Sequence, residues 1–92
     1  MVRKPYEETN SVDGFTIRTF FPETKSEELK WHRDEEDRLI DLLEPTDWLL
    51  QIDNELPVEF PERVLIERGT WHRVIKGGEK LVVRITKMNG SI

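Results

Sequence analysis

Trp31-His32-Arg33-Asp34-Glu35-Glu36-Asp37-Arg38 is the stretch whose reading decides the fold, together with its later echo Gly69-Thr70-Trp71-His72-Arg73. Both place a histidine between a tryptophan and an arginine, and both adjoin a β-like apolar run: Leu39-Ile40-Asp41-Leu42-Leu43 follows the first and Val74-Ile75 the second. Residues two apart in a strand face the same side, so His32 and Asp34 are expected to look into one cavity. If the second strand adds His72, the set becomes two imidazoles and a carboxylate, the donor set of a facial non-haem iron site.

Working outward, short runs with turn signals between them read as strands. Residues 1–13 are polar and without period and read as a loose arm. Phe15 to Phe20 alternates as a half-buried strand, which Phe21-Pro22 ends. Leu29 to Arg33 reads as the next strand. Arg38 to Leu43 reads as another, with Arg38, Ile40 and Leu42 on one face, although the same apolar positions also suit an amphipathic helix from Glu35. Trp48 to Ile52 puts Trp48, Leu50 and Ile52 on one face, and Asp53-Asn54 turns the chain. Leu56 to Phe60 is edge-like because of Pro57, and Val64 to Ile66 reads as a short buried strand. Trp71 to Ile75 and Leu81 to Thr86 follow, with Lys76-Gly77-Gly78-Glu79 read as a hairpin turn whose glycines can take positive φ. The expectation is an all-β antiparallel sandwich or small barrel. It divides into an arm over 1–13, one domain over 14–87 and a tail over 88–92.

Composition narrows the partners. The chain has 92 residues, 36% hydrophobic and 36% charged, so its core must be thin. A net charge of −5 gives no general attraction to phosphate backbone, so nucleic acid is not expected. The absence of cysteine excludes disulfides and thiolate metal sites and fits a reducing compartment. No apolar run approaches a bilayer span, and the basic residues near Met1 are not followed by an apolar segment. The location expected on these grounds is cytoplasmic, with no membrane partner.

From Leu29 to Ile85, about two thirds of the chain, the sequence resembles the cupins, small jelly-roll barrels. Their first motif has the form G-x5-H-x-H-x3,4-E-x6-G and their second G-x5-P-x-G-x2-H-x3-N. His32 stands at the first histidine, Gly69 and His72 at the glycine and histidine of the second motif. The departures are Asp34 at the second histidine, Arg38 at the glutamate, Pro45 at the closing glycine, Pro61 at the opening glycine of the second motif, Glu67 at its proline and Lys76 at its asparagine. The 15 residues between Pro45 and Pro61 match the short spacing of compact members. The chain is also similar to small cupin-like proteins of viral and environmental genomes, which bring no established activity with them.

The resemblance implies a small antiparallel jelly-roll barrel and a divalent metal, iron, manganese, nickel or zinc, on His32, Asp34 and His72. Arg38 is no ligand, since it stays protonated; Asp37 or Gln51 is a candidate fourth oxygen. That reading makes the protein a metal-dependent enzyme of oxygenase or isomerase type acting on a small molecule. The alternative is a non-enzymatic, metal-free pocket in which Arg38, Gln51 and the histidines hold a small anion such as a nucleotide or sugar phosphate. A third reading has the histidines merely lining the barrel, with Asp34 and Arg38 as an internal ion pair. Trp48 is expected in the core, Arg84 and the Glu35-Glu36 pair in solvent. Trp31 and Trp71 are expected to point away from the pocket, either packed between sheets or forming a homodimer contact. Neither a serine nucleophile beside a histidine nor a glycine-rich phosphate loop is present.

Overall fold

A computed structural model describes residues 5–88. They form eight strands: β1 (Tyr6–Asn10), β2 (Phe15–Phe20), β3 (Asp37–Leu42), β4 (Leu49–Ile52), β5 (Val58–Glu59), β6 (Arg63–Ile66), β7 (His72–Ile75) and β8 (Leu81–Met88). One sheet has the order β1-β2-β8-β3-β6 and the other β5-β4-β7, with every pairing antiparallel. The only helical element among the described residues is a single 3-10 turn, Ser26–Glu28. The all-β antiparallel expectation holds, and the helical reading of Glu35 to Leu43 is excluded because β3 is hydrogen-bonded on both sides, to β8 and β6.

Alternation decides what each strand buries. Phe20, Ile40, Trp48, Leu50, Phe60, Ile66, Leu81, Val83 and Ile85 form one core between the sheets. Burying each such side chain is worth about 1.5–3 kcal/mol. Trp48 is fully buried, as expected, and its indole N–H donates to the Glu79 carbonyl. The opposite face of β3 and β8 is the outer one: Asp41 there accepts from Arg63 at 2.6 Å and Arg84 at 3.2 Å. Arg84 thus lies outside the barrel, as its alternation implied.

Several sequence readings are corrected. Within the arm over 1–13, Tyr6 to Asn10 is a strand, paired with β2 from Thr16 to Phe20. Its polar composition suits an edge strand whose outer face meets water. Residues 1–4 of the arm and 89–92 of the tail lie outside the described residues. Leu29 to Arg33 is not a strand; it makes a single β-bridge, at His32. β5 shrinks to two residues beside Pro57. In β6 only Ile66 is buried, while Leu65 is exposed on the outer face.

The Gly77-Gly78 segment is no hairpin, because β7 and β8 belong to different sheets. Neither glycine has positive φ; Gly14 and Gly69 do. Gly77 is needed for close approach instead: a Cβ there would lie 2.3 Å from Asp47 Oδ1 and 2.8 Å from the Asp47 carbonyl carbon. The Asp47 carboxylate accepts from the backbone N–H of Gly78 at 2.7 Å and of Glu79 at 3.0 Å. This contact ties the turn before β4 to the crossing between the sheets.

Candidate metal centre

The two Trp-His-Arg echoes are paired on each other. His32 and His72 exchange both backbone hydrogen bonds, His32 N–H to the His72 carbonyl at 3.0 Å and His72 N–H to the His32 carbonyl at 2.9 Å. This antiparallel register sets Trp31 opposite Arg73 and Arg33 opposite Trp71. The Arg73 guanidinium lies 4.9 Å from the Trp31 ring centre and that of Arg33 lies 5.2 Å from Trp71. Two crossed cation–π pairs therefore cover the outside of the bridge, each worth about 0.5–1 kcal/mol when exposed. On the other side the imidazoles, with His72 buried and His32 exposed, stand 4.2 Å apart, centre to centre.

The same local chemistry orients both rings. His32 Nδ1 lies 3.2 Å from the Lys30 carbonyl and His72 Nδ1 lies 2.8 Å from the Thr70 carbonyl. A carbonyl only accepts, so each Nδ1 carries a proton, and in a neutral ring Nε2 then presents a lone pair. Metal-binding histidines are commonly oriented in this way. Asp34 arrives from the turn after His32, fixed by its carbonyl, which accepts from the Gly69 N–H at 2.8 Å. Gly69 takes φ +79°, a conformation a side chain would oppose.

Asp34 Oδ2 lies 3.5 Å from His72 Nε2. It is buried and has no hydrogen-bond partner among the described residues. One donor atom each from His32, Asp34 and His72 lie within 4.8 Å of one another, a group able to hold a metal ion. Burial holds the His72 imidazole below its ordinary value. The neighbouring His32 and Arg38 push the same way, against the Thr70 carbonyl and the Asp34 charge. His72 is therefore neutral near pH 7, and its lone pair faces a carboxylate lone pair. A bound cation between them turns that repulsion into attraction, so the donor set fits a divalent metal.

The structure thus brings together the three residues read from sequence as ligands. Arg38, also inward-facing, makes the expected ion pair with Asp34, Nη1 to Oδ1 at 3.3 Å. It takes up the oxygen that does not face His72. Arg38 Nε donates to Glu36 at 2.9 Å, and this bond holds the Glu36 carboxyl below the usual range. Glu36 is thus ion-paired as well as partly exposed, where the sequence reading had it in solvent alone. Gln51 is another: it lies on the outer face, accepting from Arg73 Nε at 2.8 Å and donating to the Glu55 carbonyl at 3.0 Å. Its neighbours Leu50 and Ile52 take the inward positions of β4, so alternation removes Gln51 from the pocket. Asp37 likewise points away from the inward Arg38 and accepts from the Arg68 N–H at 2.8 Å.

Arg18 was missed. It shares a strand face with Phe20, and that core residue turns it inward. It stacks 4.0 Å over the Tyr6 ring and donates to Glu8 at 2.6 and 2.9 Å. The signal was its two-residue spacing from Phe20. Arg18, His32, Asp34 and Arg38 border both an outer mouth of about 340 Å³ and an inner chamber of about 50 Å³. Phe20 and Val74 line both as well; the mouth adds Pro5, Tyr6, Glu28, Leu29 and Lys30, and the chamber is otherwise walled by core side chains, with His72 at its polar end.

The sequence matches no protein-family model and no curated protein. Among solved structures, the chain is similar to a cupin domain from Bordetella pertussis, with a TM-score of 0.63 and 20% identity over 96% of this chain and 98% of that one. It is also similar to a cupin-2 domain containing protein from Shewanella frigidimarina, with a TM-score of 0.58 and 13% identity over 90% of this chain and 79% of that one. A protein from Neisseria meningitidis matches with a TM-score of 0.56 and 14% identity over 91% and 82% of the two chains. The fold is that of the cupins, as the motif skeleton implied.

Proposed function

We propose that this cupin domain is a mononuclear divalent-metal protein acting on a small molecule, with His32, Asp34 and His72 as its ligands. The observation that carries the reading is the buried, unpartnered Asp34 Oδ2 facing the bare Nε2 of His72.

An ion held by His32, Asp34 and His72 would supply Lewis-acid polarisation or, as iron, the redox chemistry of an oxygenase. The residues do the rest. Backbone carbonyls fix the histidine tautomers, Arg38 steadies the second Asp34 oxygen, and the sheets keep bulk water from the inner side. The metal-free reading draws less support, because Arg38 already serves two carboxylates and Gln51 lies outside.

The test is elemental mass spectrometry on protein incubated with iron(II), manganese, nickel and zinc, beside His72→Ala. About one ion per chain in the wild type, lost in a variant that keeps its circular dichroism spectrum, is the expected result. Wild-type protein that takes up none of the four ends this reading.

A further inference from the structure

We infer that residues 25–31 form a strap over the mouth, latched by Leu29, whose opening admits small molecules to the site and which a bound metal tightens by clamping His32. This rests on the metal reading above. The segment is weakly held. From Lys25 to Arg33 every residue except Leu29 is exposed. Within that run, among the described residues, the backbone hydrogen bonds to another element are the two between His32 and His72. The N–H groups of Glu28 and Leu29 donate to the Lys25 and Ser26 carbonyls at 3.0 Å and only close the 3-10 turn. A stretch with little buried surface and few bonds to its surroundings opens locally, without unfolding the domain.

Two anchors bound the strap, and both come from one stretch of chain. At one end the Lys76 ammonium donates to the Thr24 carbonyl at 2.9 Å and to the Pro22 carbonyl at 3.4 Å. At the other end His32 is bridged to His72. Four residue steps separate His72 from Lys76, about 13 Å of extended chain. Eight steps separate Thr24 from His32, and these reach about 26–29 Å when drawn out. The strap therefore has slack, and it can bow away from the mouth with both anchors in place.

Leu29 is the part that resists. It is half-buried and packs against the core cluster. With Glu28 and Lys30 it also lines the mouth that His32 and Asp34 border. When the strap bows, Leu29 leaves this wall and the mouth widens. His32 is at the same time the end of the strap. An ion shared by His32, Asp34 and His72 fixes that end and both sides of the bridge, so the strap has less freedom to gain by opening.

The experiment uses the full chain, loaded with whichever of iron(II), manganese, nickel or zinc it takes up best. Metal content is measured first, so that absence of metal, which would overturn both readings, is seen on its own. Amide hydrogen exchange is then followed by mass spectrometry at Glu28 and Leu29 and across β8. In metal-free protein the strap amides should exchange at least tenfold faster than those of β8. They should also be indifferent to low urea, which speeds only openings that expose much surface. Metal should slow them at least fivefold. Two variants that touch no ligand act in opposite directions. Leu29→Ala removes the latch. Ser26→Pro stiffens the strap: Lys25 is already extended, as a following proline prefers, and Ser26 opens the 3-10 turn without donating a backbone bond. Transfer of the metal to excess pyridylazoresorcinol, a small coloured chelator, should be at least fivefold faster in Leu29→Ala and at least twofold slower in Ser26→Pro. Transfer rates unchanged in both variants, or strap amides that exchange in step with β8, overturn the inference and leave the metal reading standing. Strap exchange that metal does not slow overturns the clamping of His32. If Leu29→Ala does not fold, Ser26→Pro decides the role of the strap alone.

Discussion

At the scale of single residues, this domain depends on positions where one atom decides the outcome. Gly77 is the clearest outside the pocket. Its neighbour Gly78 has only one Asp47 oxygen near the place of a Cβ, at 3.4 Å, whereas Gly77 meets side chain and backbone of Asp47 together. Gly77→Ala should therefore destabilise by about 1–3 kcal/mol, the range for forcing extra atoms into filled space, and Gly78→Ala by clearly less. Urea titration of the two variants checks the order; equal midpoints would mean that the Asp47 latch yields freely. Within the pocket the deciding atom is Asp34 Oδ2. Its neighbour Oδ1 has Arg38, so the two oxygens of one carboxylate have separate jobs, and only one of them is left for a cation. The arginine at the position of a cupin ligand is therefore compatible with the proposed site, because it pairs with Asp34 Oδ1 and leaves Oδ2 without a hydrogen bond.

Elements are where the sequence was most and least readable. β2, β4, β7 and β8 follow from alternation, because each has to supply core residues on one face, whereas β3 stayed open between strand and helix and is decided by its pairing on both sides. The His32 and His72 pair was legible as two facing imidazoles from motif spacing, although His32 lies on a single bridge and not in the strand that the period suggested. What could not be read was the pairing of the two Trp-His-Arg stretches on each other, which is a tertiary register. β1 was hidden for a related reason: an edge strand with one watery face has no apolar period to display. Gln51 and Asp37 were misplaced although alternation with Leu50 and Arg38 already excluded them. The crossed tryptophan–arginine pairs give the bridge a function of their own. His32 sits on a segment with no strand of its own, so its position relies on that outer ladder. Trp31→Ala removes no ligand, yet it should weaken metal affinity by about 10–100-fold, the usual effect of losing a group that orients a ligand. Competition with a metal indicator dye measures this; an affinity within twofold of wild type would show that the two backbone hydrogen bonds hold His32 unaided.

For the whole molecule, the site and the stability are linked, because a thin core leaves a cluster of paired charges close to the folding balance. A metal present at one hundred times its Kd adds about 2.7 kcal/mol. For a domain of this size that is a rise of roughly 10–20 °C in Tm, reversed by chelator. The pH dependence of the metal-free protein has two steps with the same sign. His72 has a folded pKa lowered from 6.5, mainly by burial. Below 6.5 the unfolded chain takes up a proton that the folded one resists, so this part of the stability is whole above that value and is lost as pH falls toward the lowered one. The second step belongs to carboxylates held below their ordinary range: Glu36 by Arg38, Asp41 by Arg63 and Asp47 by the Gly78 N–H. Their contribution is present above the unfolded carboxylate range and disappears as pH drops through the lowered folded values. Urea midpoints of metal-free protein should accordingly decline once between pH 7 and 5 and again below about pH 4. His72→Gln should erase the first decline and spare the second, and bound zinc should shift the first to lower pH because ion and proton compete for the same Nε2. A midpoint that stays level from pH 7 to 5 in the metal-free wild type would mean that His72 takes up its proton as easily folded as unfolded, and that the confrontation with Asp34 is relieved by protonation rather than by a metal.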